Sequence, residues 1–183
     1  LNDVESGLKR CELLCKNGLP VAEITFRTAA AEGIIKAASK EFPEMFLGAG
    51  TILNTADLHR AFNAGAKFAV APGFNPTIVK EAMAHRYLFA PGICTPSEIE
   101  QAYELGCGFF KFFPAEAMGG LRTIQALASP FPQVKFIPTG GVNPENMLAY
   151  LQKKFIFAVG GSWMVSQEWI AKKDFQRVTQ ASL

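Results

Sequence analysis

No run of apolar residues in this chain approaches the roughly 20 needed to cross a bilayer, so no membrane-spanning helix is expected. Histidine is scarce. The two present, His59 and His85, lie well apart in sequence, and no His, Glu or Asp cluster has metal-ligand spacing. The four cysteines (Cys11, Cys15, Cys94 and Cys107) lack both CxxC spacing and the density of a secreted disulfide scaffold. They read as reduced, mostly buried residues of a cytoplasmic protein, and neither a metal nor an organic cofactor is expected. A surplus of one charge is also missing, because a formal net charge of +2 leaves no basic stripe for nucleic acid. The charged, apolar and small-residue regions of a signal peptide are absent too. A small-molecule partner is what remains.

With 183 residues, 49% of them hydrophobic, the chain can bury one sizeable core, and residues 1–183 are expected to form a single domain. Short apolar runs recur at Val21–Phe26, Met45–Leu47, Phe68–Val70, Tyr87–Phe89, Phe109–Phe113, Val134–Ile137 and Ile156–Val159. Between them lie stretches of helical period at Ala30–Phe42, Ala56–Ala64, Pro76–Ala84, Pro96–Leu105, Leu121–Ala128 and Pro144–Gln152, with a leading helix at about 3–17 and a last one near 172–182. Strand and helix in alternation imply a parallel sheet and an α/β fold.

Nearly every strand candidate runs into a turn: GAGT (48–51), APG (71–73), APG (90–92), FPAE (113–116), PTGG (138–141) and GGS (160–162). Special residues at one strand end, repeated around the chain, point to a (β/α)₈ TIM barrel, whose active site is built by the loops at that face. An open doubly wound sheet would need such turns only at its switch point. Seven strand candidates and a leading helix with no strand before it suggest that the first barrel strand is missing from a chain that starts at Leu1 without an initiator Met.

Two strands carry unexpected charge. Alternation along residues 21–27 puts Glu23, Thr25 and Arg27 on one face and Ala22, Ile24 and Phe26 on the other. An acid and a base inside a barrel must pair with each other or bind a ligand. In FFKFF (109–113), Lys111 stands among four phenylalanines. Desolvation there would disfavour the ammonium and supply the free amine that attacks a ketone, unless the side chain snorkels to water. The glycine turns at 138–141 and 159–162 follow the last two strands, where barrels commonly bind phosphate, and Ser162 adds a hydroxyl donor. Thr51 and Thr139, at strand ends, could bond a ligand or cap the next helix.

The runs KFFPAE (111–116), AEITFRT (22–28), GAGT (48–51), PTGG (138–141) and GGSW (160–163), in this order, resemble the 2-keto-3-deoxy-6-phosphogluconate (KDPG) and 4-hydroxy-2-oxoglutarate aldolase family along essentially the whole chain. The resemblance implies a homotrimeric barrel that cleaves a phosphorylated keto-acid to pyruvate and glyceraldehyde 3-phosphate. It implies that Lys111 forms the Schiff base and that Glu23 is the general acid/base. By the same likeness Arg27 and Thr51 hold the pyruvate carboxylate, and Pro72, Phe113 and Thr139 shape the wall around the substrate. Gly140, Gly141, Gly161 and Ser162 receive the phosphate. The family's first strand is not found here.

Two other functions fit the same residues. One is an aldolase preferring 4-hydroxy-2-oxoglutarate or another 2-keto-3-deoxy sugar acid. The other is a catalytically silent barrel that binds phosphometabolites, because fold alone does not establish catalysis. A purely structural role gives no reason to bury Glu23, Arg27 and Lys111.

Overall fold

A computed structural model describes residues 3–166, with Glu168 and Lys172 beyond them. The helix expected at 172–182 lies outside the described residues. Contacts divide the chain into two compact units, Leu1–Ala69 with Ser162–Leu183, and Val70–Gly161.

The first unit opens with α1 (Val4–Lys16), started by the Asp3 carboxylate, which accepts the Ser6 N–H at 2.8 Å. β1 (Val21–Thr25), α2 (Ala30–Glu41), β2 (Phe46–Gly50), α3 (Thr55–Asn63) and β3 (Phe68–Val70) follow, the unit boundary falling after Ala69. β1 and β2 pair in parallel from Val21↔Phe46 to Thr25↔Gly50, and β2 pairs with β3 at Gly48↔Phe68 and Ala49↔Ala69. α2 buries Ile34, Ile35 and Ala38. Gly7 makes room for the first of these, since a Cβ there would stand 2.6 Å from Ile34 Cγ2.

The second unit repeats the pattern with α4 (Pro76–Ala84), β4 (Phe89–Ala90), β5 (Gly92–Ile93), α5 (Pro96–Glu104), β6 (Phe109–Phe112), α6 (Gly120–Ala128), β7 (Lys135–Pro138) and α7 (Met147–Leu151). β5, β6 and β7 run parallel, in register at Gly92↔Lys111 and Lys111↔Ile137. Thr95 and Glu98 form a reciprocal capping box on α5, where Pro96 supplies the preset φ of a first helical residue.

Four helices end alike. After α1, α3, α4 and α5 a residue of positive φ donates to the carbonyl three residues back, and its successor reaches the one five back. Gly18, Gly65 and Gly106 fill that left-handed position, but after α4 it holds Arg86 at φ 56°.

The predicted boundaries shift where backbone hydrogen bonds are claimed elsewhere. Tyr87 was expected in a strand, yet its N–H closes the end of α4 on the Ala82 carbonyl, so β4 starts at Phe89. Pro91, lacking an N–H, separates β4 from β5. GAGT is not a turn in its first three residues, because β2 continues through Gly50. Gly92 of the second APG likewise belongs to a strand. The run 144–152 turns helical only at Met147, after the Asn143 side chain has accepted the N–H groups of Glu145 and Asn146. The expected strand Ile156–Val159 survives as isolated bridges, Phe136↔Ile156 and Thr139↔Gly160. A step of three residues on one side thus faces a step of four on the other, and this one-residue bulge breaks the ladder.

Candidate active site

In the first unit, Ile24 is buried at 3% exposure, whereas Glu23 and Thr25 face the opposite way and are half-buried. The Glu23 carboxylate lies over β2: a Cβ on Gly50 would stand 1.7 Å from Glu23 Oε1 and 2.4 Å from its Cδ. Gly50 is therefore the space that the carboxylate occupies. Gly48, two residues earlier, makes the same kind of room for the Phe68 ring, 2.2 Å from where its Cβ would be.

Arg27 departs from the expected alternation. β1 ends at Thr25, the Phe26 N–H makes a last bond to the Gly50 carbonyl, and the Arg27 N–H folds back on the Thr25 carbonyl at 2.8 Å. Arg27 thus stands on an exposed turn beyond the strand and shares no strand face with Glu23. That turn is braced from below, where the Arg60 guanidinium lies 5.8 Å from the Phe26 ring centre and pairs with Glu32 and Asp57. Thr51 has φ 60°, an uncommon conformation for a β-branched residue, directly after β2. It is not a helix cap; Asn54 caps α3 by accepting the Asp57 N–H at 2.7 Å.

In the second unit, Lys111 on β6 is 6% exposed, the one buried charged side chain among the described residues. Its Nζ lies 5.6 Å from the centre of the Phe113 ring. The four phenylalanines of the motif do not all contribute to this burial, because Phe110 and Phe112 point to the other face, into the core at 0% exposure. Phe109 is 39% exposed and packs edge-on against Phe157. On the lysine's own face the neighbour in register is Gly92, and a Cβ there would meet the Pro72 carbonyl carbon and oxygen at 2.3 Å. The 72–73 backbone therefore closes over the strand beside Lys111, which puts Pro72 in its surroundings. The Cys94 thiol donates to the Phe113 carbonyl at 3.0 Å and ties β5 to the end of β6.

Thr139, Gly140 and Gly141 form a turn that is engaged from its carbonyl side. The Thr139 carbonyl accepts from the Ala115 N–H at 2.8 Å, that of Gly140 from the Glu116 N–H at 3.0 Å, and that of Gly141 from Asn146 Nδ2 at 3.1 Å. Gly140 and Gly141 both take positive φ, 98° and 82°. Among the described residues their amides, and that of Gly161, donate no hydrogen bond. The bridge Thr139↔Gly160 lays the 160–161 segment beside this turn, and a Cβ on Gly160 would stand 2.5 Å from Thr139 Oγ1. Ser162 is exposed and belongs to the first unit. Among the described residues Thr139 caps no helix, and its hydroxyl donates to the Ile137 carbonyl at 3.4 Å.

Sequence reasoning missed Gly50, Gly92, Cys94 and the Glu116 to Tyr150 link, all of which act through residues distant along the chain. It also missed the i,i+4 pair of Glu81 on α4 and His85 just after it, with Nδ1 3.5 Å from Oε1.

The described residues thus combine parallel βα units, a buried lysine on a strand and a turn whose Gly140 and Gly141 amides donate no hydrogen bond among them, an arrangement of the α/β class. Residues 1–181 match the family model for aldolases described as KDPG and KHG aldolase. The 2-dehydro-3-deoxy-phosphogluconate aldolase of Treponema pallidum is 42% identical over 182 residues, 100% of this chain and 87% of that protein. The KHG/KDPG aldolase of Escherichia coli K12 is 41% identical, covering 97% of this chain and 83% of its own length. Among solved structures, the KDPG aldolase of Legionella pneumophila, with pyruvate captured at low pH as a covalent carbinolamine, superposes with a TM-score of 0.95 at 35% identity over 100% of this chain and 88% of that one. That of Zymomonas mobilis ZM4 with 3-phosphoglycerate gives 0.93 at 38% identity, over 100% and 85%.

The chain belongs to the KDPG and KHG aldolase family. Its fold class is the α/β TIM barrel of these relatives.

Proposed function

We propose that this chain is a class I aldolase that cleaves KDPG to pyruvate and glyceraldehyde 3-phosphate through a Schiff base on Lys111. The observation that carries the reading is the burial of Lys111 at 6% exposure on a strand. Two relatives add support: the Legionella enzyme with its pyruvate carbinolamine, and the Zymomonas enzyme with its phosphorylated three-carbon acid.

The chemistry follows from the residue types. The Lys111 amine adds to the C2 ketone to give a carbinolamine, and loss of water leaves an iminium. Glu23 takes the C4 hydroxyl proton while the C3–C4 bond breaks, its electron pair moving into the iminium as an enamine. Glyceraldehyde 3-phosphate departs, protonation at C3 restores the iminium, and water releases pyruvate. A carboxylate positioned over Gly50 is suited to these transfers. Arg27 and Thr51 hold the substrate carboxylate, the guanidinium fork matching its two oxygens. Pro72, Phe113 and Thr139 form the wall, and Gly140, Gly141, Gly161 and Ser162 take the phosphate on amides and one hydroxyl.

A second activity, on 4-hydroxy-2-oxoglutarate, is favoured by the name of the Escherichia coli relative, which covers both substrates. A single catalytic domain, a homotrimer and a cytoplasmic location belong to the same proposal, supported by the family resemblance and by four free cysteines.

The test is reductive trapping. With pyruvate and borohydride, peptide mass spectrometry should find the adduct on Lys111 and nowhere else. Lys111→Arg should abolish it, because a guanidinium stays protonated. A label on another lysine, or none, would overturn the assignment.

A further inference from the structure

The turn assigned to phosphate does not hold itself in place. Three groups outside it engage its carbonyls, and one of them, Glu116, also reaches across the unit. Glu116 stands in a short 3₁₀ turn (Glu116–Met118) after β6, where its N–H donates to the Gly140 carbonyl at 3.0 Å. Its Cβ and Cγ lie 2.6 Å from where a Gly141 Cβ would be, so the methylenes pack directly on the second glycine. Its carboxylate accepts the Tyr150 hydroxyl. Tyr150 is the buried residue of α7, 2% exposed, and its ring is set by the core. Gly120 completes the fit, since a Cβ there would stand 2.9 Å from the Tyr150 hydroxyl and 3.0 Å from Glu116 Oε1. The connection therefore runs from the core through Tyr150 to Glu116 and so to Gly140 and Gly141.

We infer that Glu116 and Tyr150 are positioning residues that present the Gly140 and Gly141 amides to the substrate's phosphate and thereby set the preference for phosphorylated keto-acids. The inference rests on the phosphate role proposed for that turn. With the carbonyls of residues 139–141 held from one side, peptide planarity directs the amides of 140 and 141 away from those bonds, where an anion can meet them. Burial, and then the adjacent Glu116 carboxylate, push the pKa of the Tyr150 hydroxyl well above its ordinary value, so it remains a donor throughout the working pH range. A carboxylate left loose beside the turn would repel phosphate. The hydroxyl bond holds one of its oxygens.

The experiment compares two substrates and one probe ion. In Tyr150→Phe and in Glu116→Ala, KM for KDPG and the inhibition constant of inorganic phosphate should each rise roughly five- to tenfold, the worth of one positioning hydrogen bond. For unphosphorylated 4-hydroxy-2-oxoglutarate, kcat and KM should stay within about twofold, since that substrate carries no phosphate for the Gly140 and Gly141 amides to meet. Glu116→Gln should restore near wild-type constants, because its amide oxygen still accepts the hydroxyl. Equal losses on both substrates, or unchanged phosphate binding in a folded Tyr150→Phe, would overturn the inference. If Tyr150→Phe does not fold, Glu116→Ala, at an exposed position, tests the same connection from its other end, and unchanged phosphate binding there overturns the inference equally. A wild-type protein indifferent to the phosphate on its substrate would instead remove the phosphate role of the turn, and this inference with it.

Discussion

Gly50→Ala separates the position of the Glu23 carboxylate from every other property of the molecule. The added Cβ would stand 1.7 Å from Glu23 Oε1, against the 3.4 Å of an ordinary contact, so the carboxylate must retreat by about 1.7 Å, the difference between the two. A misplacement of about 1 Å in a reacting group costs on the order of 10²-fold, and a positioned acid/base contributes roughly 10²–10⁴-fold in all. We expect kcat for pyruvate release to fall by roughly 10²–10³-fold. Folding should be spared, because the collision is with the end of a flexible side chain and Gly50 does not take a positive φ. A Gly→Ala change at a permissive position even adds about 0.4–1 kcal/mol by restricting the unfolded chain. Gly92→Ala is the contrast: its Cβ would strike the Pro72 backbone at 2.3 Å, and stability itself should drop. The assay couples pyruvate release to NADH oxidation, with thermal melting and pyruvate–borohydride trapping measured on the same preparations. Wild-type turnover in a well-folded Gly50→Ala protein would refute the claim that catalysis depends on where this carboxylate stands.

Arg86→Gly should stabilise the protein by about 1 kcal/mol, since Arg86 holds a left-handed position that glycine fills after three other helices, and a melting curve checks it. Thr51→Gly should likewise raise the melting temperature, by roughly 1 kcal/mol of relieved strain, while KM for the keto-acid rises; Thr51→Ser should keep KM near wild type. Burial pushes the Cys11 and Cys107 thiols up to about 11 from 9.0, so in the folded protein iodoacetamide at pH 8 should label neither before Cys15 or Cys94. Because those two thiols bind their protons more tightly folded than unfolded, they should also make stability fall as pH climbs from about 9 to about 11, measurable as a declining denaturation midpoint.

Local chemistry was legible in the sequence. The bounds of β3 and α4 are as predicted, because Pro76 and the Asn75 cap mark a helix start that needs no distant partner. Lys111 is conspicuous as a charge within an apolar strand, but the neighbours that bury it are not the adjacent ones: successive residues on a strand face opposite ways, so Phe110 and Phe112 cannot cover it. Arg27 falls on the face of Glu23 only if the alternation is extrapolated past Thr25, where hydrogen bonds to residues 25 and 50 end the strand. The GAG of β2 looks like a turn because glycine usually signals one. Here both glycines are spaced for bulky groups on adjacent strands, Phe68 and Glu23, and nothing within the motif says so. Tyr150 and Glu116, 34 residues apart, share no local signal at all.

The vacancy at Gly50 bears on any attempt to transplant this chemistry. Copying Glu23 onto a strand of another scaffold would import an acid without the place where it works, since that place belongs to the adjoining strand and consists of a side chain that is not there. The smallest portable piece is a pair of strands in fixed register, with Thr25 opposite Gly50 and Glu23 opposite Gly48. A recipient with alanine at the receiving position would accept the graft, fold, and hold its carboxylate out of reach of the reaction.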